Sequence, residues 1–544
     1  VINPLLEEPE IEPFAGLRPT IHGDVVHSRP LTITYGPLDP SDLTKGSDFR
    51  IFYGANDGLF RALDPATGQE DWALIASEHL DGLKRLYANT PTIDYFGLAD
   101  ELSIKIDAEP KRYFFDGSTG SYTRYDGNNE LTTGWIFPTM RRGGRHIYAL
   151  DVSPTGDAGV PPAEPKLMWT AGPEDLGNVG QSWSTPVAGH LDADTSGTRT
   201  GGAEDDPVLI FGGGWDACLD AKDKTLPIGD CSTGNQIFVL NAKTGELLKK
   251  YDTRAPVVAE VSVLDIDNDG FLDFAYAADA AGNLYRLNFS ALETLNDPYT
   301  KPLESGDWFL SHIAASSQPY VRFMNKPTIG AIQNRVFVTI GSGDRERPLK
   351  QNYPYEDNVV NRFYALIDEP YGAEADPADP VDLDDTSGER GMLNASAGLT
   401  ESEILVDAYR GWFLELPDRG EQVVNPSAIG GGFVFFNSFQ PEGGTKGFCS
   451  DLGKSKSYRV PLFRPENDDG KEFGEGVPIP PIIVTVKLNS GEPSCSGTDC
   501  GEGEIPNEIV TVCIGCEGFN PIEIVPASDG TVREAYRAED IDRL

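Results

Sequence analysis

The chain has 544 residues, with 44 basic and 86 acidic side chains and a formal net charge of −42. This balance argues against binding nucleic acid or anionic membranes through general electrostatics, and it favours cations as partners. The 59 glycines and 41 prolines predict many short strands joined by turns, and no apolar stretch approaches the length of a membrane span.

The two ends of the chain are predicted to lie outside the main domain. The sequence opens at Val1 without an initiator methionine or a signal-peptide pattern, so we expect a processed or fragmentary chain. Residues 1–19 are expected to form an N-terminal extension and residues 526–544 a C-terminal tail.

A loose internal repeat begins near residue 49, and its first copy is the clearest. Strands are predicted at Phe49–Tyr53 and Leu59–Asp64, separated by the turn Gly54-Ala-Asn-Asp-Gly58. A second turn contains Thr67-Gly68, and Trp72 closes the unit. Two strands and two turns account for this copy.

A short helix is predicted after the first copy, over residues 77–88. Leu80, Leu83 and Leu86 recur there at helical spacing.

Further strand pairs of the same kind follow along the chain. Apolar and aromatic residues bounded by Gly, Asp and Asn turns predict these strands. They lie at 145–151, 208–212, 236–241, 261–264, 274–277, 282–288, 335–340, 361–366, 411–416, 432–436, 482–486 and 508–512.

Recurring strand units of this kind predict an all-β fold, a β-propeller of about seven irregular blades over residues 20–525. The spacing between units exceeds that of regular propeller repeats in places, so we expect insertions near 194–206, 369–392 and 464–480. Two packed β-sandwiches are the alternative architecture, although they would not require similar strand pairs throughout.

The most informative segment is residues 265–273, which read Asp-Ile-Asp-Asn-Asp-Gly-Phe-Leu-Asp. Calcium takes six to eight oxygen ligands, and EF-hand loops supply them from alternating positions. The predicted ligands are the carboxylates of Asp265, Asp267, Asp269 and Asp273 and the backbone carbonyl of Phe271. The flanking runs are β-prone where an EF-hand has helices. A solvated acidic turn is the alternative, but its crowded carboxylates would repel one another without a cation.

The chain has seven cysteines, which are candidates for disulfides or metal binding. Cys218 and Cys231 flank a polar loop and predict a disulfide of an oxidising compartment. The last four cysteines have a spacing that suits either disulfides or a zinc ribbon, and disulfides are the favoured interpretation. They are Cys495, Cys500, Cys513 and Cys516, which leaves Cys449 unassigned.

Several segments together resemble the C-terminal propeller domain of the PilY family of type IV pilus biogenesis and tip-adhesin proteins. Their order along the chain carries the resemblance, because the individual turns are common in β-proteins. The segments are Gly23–Ser28, Gly54–Gly58, Gly180–Ser184, Gly212–Asp216, Val263–Leu287 and Thr339–Asp344.

The resemblance implies a non-enzymatic, calcium-responsive protein at the pilus tip or outer cell surface, exported through the periplasm. Its partners would be minor pilins of the pilus tip complex and a host or abiotic surface receptor. In that family calcium occupies the loop that matches Asp265, Asp267, Asp269 and Asp273, and its binding and release are tied to pilus extension and retraction. The sequence does not include the family's usual N-terminal region, so we expect either a fragment or adhesion through another part. It contains no Arg-Gly-Asp tripeptide.

An enzyme is the rival class of function. Ala62, Asp64, Thr67, Gly68 and Trp72 match the blade-docking pattern of quinoprotein dehydrogenases, which also use calcium. In those enzymes the pattern recurs in most blades and locks neighbouring sheets together, so it indicates propeller packing rather than catalysis. No arrangement typical of a hydrolase organises the six histidines.

Two smaller features have alternative interpretations. The segment His190–Asp194 is either a polar turn, which is favoured, or a degenerate second cation loop. Trp183 and Trp215 are expected to pack between blades, with carbohydrate stacking as the alternative.

We therefore predict a calcium ion at 265–273 that bridges two strands of one blade and neutralises its carboxylates. The ion would be either a regulatory switch of a pilus-associated adhesin or only a stabilising part of an extracellular scaffold.

Overall fold

The computed structural model is an all-β propeller, as predicted. The structure describes residues 23–39, 41, 45–88, 90–91, 93–94, 109–155, 160–192, 206–220, 231–294, 300–318, 320–332, 335–347, 359–387, 391–397, 409–441, 453–488 and 508–515. The described strands include six sheets of four or five strands each.

The first three sheets follow one another along the chain, each with its strands in sequential spatial order. The first contains β1 (Leu31–Pro37), β2 (Ser47–Gly54), β3 (Leu59–Asp64) and β4 (Gln69–Ile75). A 3₁₀ turn at Ser77–His79, helix α1 (Leu80–Ala88) and the parallel pair β5 (Ile93–Asp94) and β6 (Glu109–Pro110) come next. The second contains β7 (Thr119–Tyr125), β8 (Leu131–Pro138), β9 (Ile147–Asp151) and β10 (Lys166–Ala171), followed by helix α2 (Pro173–Leu176). The third contains β11 (Val187–Gly189), β12 (Val208–Gly212), β13 (Gln236–Asn241) and β14 (Leu247–Asp252).

The next sheets are less regular because some of their strands come from distant parts of the chain. The fourth contains β15 (Ser262–Leu264), β16 (Phe274–Ala278), β17 (Asn283–Asn288) and β20 (Phe309–Ala315), with the short pair β18 (Ser290–Ala291) and β19 (Lys301–Pro302) inserted. The fifth contains β21 (Thr328–Ile332), β22 (Arg335–Gly341), β23 (Arg362–Asp368) and β26 (Gly411–Glu415). Strand β24 (Val381–Asp382) pairs in parallel with β20, and β25 (Leu393–Asn394) pairs in parallel with β26.

The sixth sheet is built around a long central hairpin. It contains β27 (Gln422–Val423), β28 (Ala428–Gly430), β29 (Phe433–Gln440), β30 (Lys454–Pro461) and β31 (Lys471–Glu475). Strands β32 (Ile482–Leu488) and β33 (Glu508–Ile514) pair with each other. A Cβ atom on Gly430 would lie 2.6 Å from the Ile483 side chain, so this last pair packs directly against β28.

Strand β13 shows how the sheets stack. All but its last residue are buried, and successive side chains point to opposite faces of the sheet. Ile237 and Val239 belong to a core shared with the fourth sheet, whereas Phe238 and Leu240 belong to a core shared with the second. Strand β13 therefore packs against a neighbouring blade on each of its faces. The alternative architecture of two packed sandwiches does not require a strand with two buried faces.

Tryptophans lock neighbouring blades together. The Nε1–H of Trp169, on β10, donates to the carbonyl of Ala242 in the third sheet at 2.9 Å. Its ring covers Gly245, where an added Cβ atom would lie 2.7 Å from a ring carbon. Trp412, on β26, donates in the same way to the carbonyl of Leu462, directly after β30 in the sixth sheet, at 3.0 Å. The docking role predicted for such tryptophans is therefore present between these blades.

Every predicted strand and the predicted helix are present. The sequence does not predict several further strands, among them β1, β7, β8, β20, β21 and β30, although the turn at 126–129 between β7 and β8 has the Asp-Gly-Asn-Asn composition of a hairpin. The range 369–392 contributes β24, and 464–480 contributes β31, so both take part in sheets. The predicted N-terminal extension, the C-terminal tail and nearly all of 194–206 lie outside the described residues.

The predicted disulfide between Cys218 and Cys231 is formed, with Cα atoms 5.6 Å apart. The side chains of the other five cysteines lie outside the described part of the chain, so the choice between disulfides and zinc stays a prediction. Among the described residues, no helix has the length and apolar character needed to cross a membrane.

Candidate metal centre

The acidic segment forms the loop that joins β15 to β16 in the fourth sheet. The two strands pair antiparallel, with Leu264 opposite Phe274. Directly beyond this pair, the backbone N–H of Asp273 donates to the carbonyl of Leu264 at 2.9 Å. The two ends of the loop are thereby held together, and the intervening carboxylates are confined to a tight turn.

Backbone geometry and Asp side chains shape the turn. Gly270 has φ +93° and Asn268 has φ +58°, conformations that glycine and asparagine tolerate best. The carboxylate of Asp265 accepts hydrogen bonds from the backbone N–H groups of Asp269 at 3.2 Å and Gly270 at 2.8 Å. Asp269 in turn accepts from the N–H of Phe271 at 2.9 Å. The loop therefore curls around its own carboxylates.

Three of the predicted ligands meet in space. One carboxylate oxygen from each of Asp265, Asp267 and Asp269 lies within 4.8 Å of the others. Oxygens bound at 2.3–2.6 Å to one calcium ion lie at most about 5 Å apart, so this group has the dimensions of a calcium site. Burial raises the pKa of Asp265, and the neighbouring charge of Asp267 adds to that rise. A cation placed among these groups would relieve both effects.

Asp273 occupies a different position from the other three carboxylates. It is 2 % exposed and is not part of the group of three. Its Oδ2 accepts from the backbone N–H of Ile266 at 2.9 Å, and its Oδ1 accepts from the hydroxyl of Thr300 at 2.6 Å. Burial raises the pKa of Asp273 to about 7, and the charge of Asp267 acts in the same direction. Asp273 therefore ties the base of the loop together from within the blade.

Thr300 is the site residue that the sequence did not reveal. Besides its contact with Asp273, its backbone N–H donates to Asp267 Oδ2 at 3.1 Å and its hydroxyl lies 3.3 Å from the same oxygen. Thr300 precedes β19 and lies well beyond the acidic loop in sequence. No spacing rule connects the two segments, because only the tertiary fold brings them together.

The loop also contacts the third sheet. The backbone N–H of Leu272 donates to the carbonyl of His190 at 2.8 Å. A Cβ atom on Gly189 would lie 2.5 Å from the Leu272 side chain, so the two blades approach closely here. A change in the loop would therefore alter the contact between the third and fourth blades.

Two other candidate sites are placed by the structure. Asp216 lies close to Cys218 and Cys231, but both sulfurs are engaged in the disulfide and Asp216 caps the N–H groups of Cys218 and Thr233. In the possible second cation loop, His190 bonds to the hydroxyl of Tyr122 at 2.9 Å, and Asp194 lies outside the described residues.

Trp183 and Trp215 stack on each other, with ring centroids 4.2 Å apart. The guanidinium carbon of Arg141 lies 4.0 Å from the centroid of the Trp183 ring. These rings are therefore packed within the protein, and Trp215 is only 1 % exposed.

Comparison with known proteins agrees with this architecture. The family model described as the PilY1 beta-propeller domain matches residues 35–334. The type IV pilus biogenesis factor PilY1 of Pseudomonas aeruginosa strain UCBPP-PA14 is 25 % identical over 318 residues, covering 53 % of this chain and 23 % of the relative. A PilY1 homologue of Xylella fastidiosa is 25 % identical over 440 residues, covering 75 % of this chain and 29 % of the relative.

A solved structure has the same fold. The crystal structure of the Pseudomonas aeruginosa PilY1 C-terminal domain superimposes with a TM-score of 0.50 at 17 % identity, over 78 % of this chain and 80 % of that one. The chain spans less than a third of the length of the two curated relatives named above.

Proposed function

Because the chain belongs to the family of the PilY1 β-propeller domain, we propose that it is a calcium-binding, non-enzymatic, type IV pilus-associated protein. It acts in pilus assembly and retraction and in surface adhesion at the pilus tip. The observation that carries the calcium proposal is the convergence of Asp265, Asp267 and Asp269 within 4.8 Å. The pilus role is supported by the relatives, which are type IV pilus biogenesis factors.

The ligands in this proposal are the carboxylates of Asp265, Asp267, Asp269 and Asp273 and the carbonyl of Phe271. A carboxylate oxygen has two lone pairs, so the hydrogen bonds that Asp273 accepts leave it capacity for a cation. Calcium supplies positive charge to a crowded acidic loop, and it stabilises the folded blade by mass action.

We further propose that calcium binding regulates contacts with the pilus and does not only stabilise the blade. The loop contacts the third blade through Leu272. Loss of the ion would therefore loosen the boundary between two blades, and this would alter the surface offered to minor pilins. Binding that does not depend on calcium would favour the alternative, a purely structural scaffold.

Export through the periplasm to the pilus tip or outer cell surface is part of the same proposal. The disulfide between Cys218 and Cys231 supports it, because structural disulfides persist in oxidising compartments.

Calcium titration of the purified chain tests the metal site. At a calcium concentration of about 100 times Kd, we expect the free energy of unfolding to rise by about 2.7 kcal/mol. Asp267→Asn and Asp269→Asn remove a ligand charge from the group of three, so both variants should need more calcium for the same gain. Magnesium should stabilise less, because it demands a tighter octahedral set of ligands.

The matched control is Asp385→Asn. Asp385 lies in an exposed turn and accepts from the N–H and hydroxyl of Ser387, so it resembles the loop aspartates but is outside the site. Its variant should keep the full calcium response. Equal calcium responses in all variants would refute the site, whichever role the chain has in the pilus.

The pilus role is tested separately by binding of the chain to purified minor pilins and to host-cell or abiotic surfaces, with calcium and with a chelator present. Calcium-dependent pilin binding supports the switch, and calcium-independent binding supports the scaffold. Binding to neither pilins nor surfaces would contradict the pilus proposal while leaving the metal site untouched.

A further inference from the structure

An arginine-rich group lies where loops of the second and fifth blades, which are not neighbours along the chain, contact each other. We call it the arginine cluster. Its members come from the 3₁₀ turn Arg141–Gly143 after β8, the segment before β21 and the loop after β22, which belong to the second and fifth sheets. They are Arg141, Arg142, Arg322, Arg345 and Arg347. The chain has a net charge of −42, so a local concentration of guanidinium groups indicates a site that favours negative charge.

Glu346 joins the two sides of the cluster. Its carboxylate accepts from Arg141 at 2.6 Å and from Arg142 at 3.1 Å, across 204 residues or more of sequence. Burial opposes ionisation of Glu346, but these two guanidiniums hold its pKa below the usual range. Glu346 is therefore a carboxylate that the cluster already binds, and its contacts show what chemistry these arginines recognise.

Two other carboxylates, Asp220 and Asp344, also contact the cluster. Arg142 makes two further contacts with Asp220, both at 3.2 Å. Asp344 pairs with Arg322 at 2.9 Å and with Arg347 at 3.4 Å. Arg347 also donates to the carbonyl of Leu219 at 2.6 Å.

Arg345 differs from the other members of the cluster. Its guanidinium donates to the neutral side-chain amide of Asn425, at 3.3 Å from the Oδ1 atom. Burial lowers the pKa of Arg345, and the positive charges of Arg141 and Arg29 lower it further. Burial also lowers the pKa values of Arg141 and Arg347. Arg345 therefore differs from Arg141, Arg142, Arg322 and Arg347, which contact the described carboxylates Asp220, Asp344 and Glu346.

The indole rings of Trp183 and Trp215 lie beside the arginines of the cluster. The guanidinium of Arg142 lies 5.0 Å from the Trp183 ring and 5.1 Å from the Trp215 ring. The Trp215 Nε1–H is buried and has no hydrogen-bond partner within the described protein. Stacking fixes the planes of the guanidiniums, so their N–H groups are preorganised for a planar acceptor.

We propose that the arginine cluster binds carboxylate groups and that its ligand is an acidic peptide segment of a partner protein. Guanidinium forks bind carboxylates with charge-assisted, often bidentate hydrogen bonds. The arginines are distributed over two sheets, so they match several carboxylates on one extended segment better than a single small acid. Glu346 occupies the place that a ligand carboxylate would share.

The test is isothermal titration of the full chain at low ionic strength, with calcium held constant. The probes are acetyl-Glu-Glu-Glu-amide, the matching Gln-Gln-Gln peptide and succinate. We expect the Glu peptide to bind, the Gln peptide to bind at least tenfold more weakly, and added salt to weaken binding. Succinate should bind more weakly than the Glu peptide.

Three variants locate the binding. Arg345→Gln should weaken Glu-peptide binding about tenfold, because it removes the guanidinium that pairs with no carboxylate among the described residues. Glu346→Gln should strengthen it severalfold by removing an internal competitor. Arg459→Gln is the matched control, because Arg459 also stacks on an aromatic ring, Phe433 at 4.0 Å, but lies on β30.

Thermal unfolding of each variant shows that it is folded. Equal binding of the Glu and Gln peptides, or unchanged binding in Arg345→Gln, would overturn the site. Succinate binding as tight as that of the Glu peptide would overturn the peptide as ligand.

Discussion

The hydroxyl of Thr300 lies 2.6 Å from Oδ1 of Asp273, and this contact joins the acidic loop to the strand pair inserted in the same blade. Asp273 is 2 % exposed, so its carboxylate depends on such donors for the hydrogen bonds that water would otherwise supply. The loop is therefore held from inside the blade before any cation is considered.

This contact predicts the behaviour of Thr300→Val in the absence of calcium. The substitution preserves the shape of the side chain but removes the donor to a buried carboxylate, so we expect a loss of about 1–3 kcal/mol in the free energy of unfolding. Thr67→Val is the control, because Thr67 makes a similar hydroxyl–carboxylate bond to Asp64 in an exposed turn. Urea unfolding with a chelator present measures both, and equal losses would contradict a special role for Thr300.

A second prediction concerns the turn that lies against Trp169. Gly245 and Gly68 both have positive φ, +75° and +71°, in equivalent Thr-Gly turns. A Cβ atom at Gly245 would meet the Trp169 ring at 2.7 Å, whereas one at Gly68 would meet nothing within 4 Å. Gly68→Ala should cost about 1 kcal/mol from backbone strain alone, and Gly245→Ala about 1–3 kcal/mol more from overpacking. Thermal or urea unfolding distinguishes the two variants. A similar loss of stability in both would show that the Trp169 ring moves to accommodate the added methyl group.

A third prediction concerns a buried ion pair between the fourth and fifth blades. Arg286 is fully buried, and its guanidinium contacts both carboxylate oxygens of Asp368 at 2.5 Å. The hydroxyl of Tyr276 donates to the same carboxylate at 2.9 Å. Asp368→Ala should cost about 3–5 kcal/mol, because it removes the carboxylate that pairs with a buried positive charge.

The double variant Arg286→Met/Asp368→Leu is the control for that prediction. It removes both charges, so it should be more stable than Asp368→Ala alone. A double variant that is less stable than the single one would contradict the explanation by loss of the pairing carboxylate.

A fourth prediction concerns pH. Burial, with a contribution from the charge of Arg254, lowers the pKa of His312 to about 4. Unfolded histidine titrates near 6.5, so the unfolded chain binds this proton more readily. The contribution of neutral His312 to stability is complete above pH ~6.5 and is lost as the pH falls towards about 4.

Because His312 is only partly buried, we expect the loss to be about 1–2 kcal/mol once solvent screening is considered. His312→Gln should remove this part of the pH dependence. The free energies of unfolding of wild type and variant should differ least at the acidic end of the range. Urea unfolding from pH 4 to 7 measures it. A stability difference that stays constant across this range would show that His312 does not titrate as described.

The sequence alone revealed the local features of this protein. Alternating apolar residues, Thr-Gly turns and spaced tryptophans predict a propeller, because strand burial and blade docking depend on residues close together in the chain. The alternating aspartates of 265–269 predict a cation loop for the same reason, and the structure brings three of them together.

The tertiary structure decided which distant residues complete each site. Asp273 and Thr300 meet only because the blade folds back on itself. Arg141 and Glu346 meet only because the fold brings loops of the second and fifth blades into contact. A closed arrangement of sheets places residues side by side according to blade position rather than sequence separation, so no local pattern contains that information.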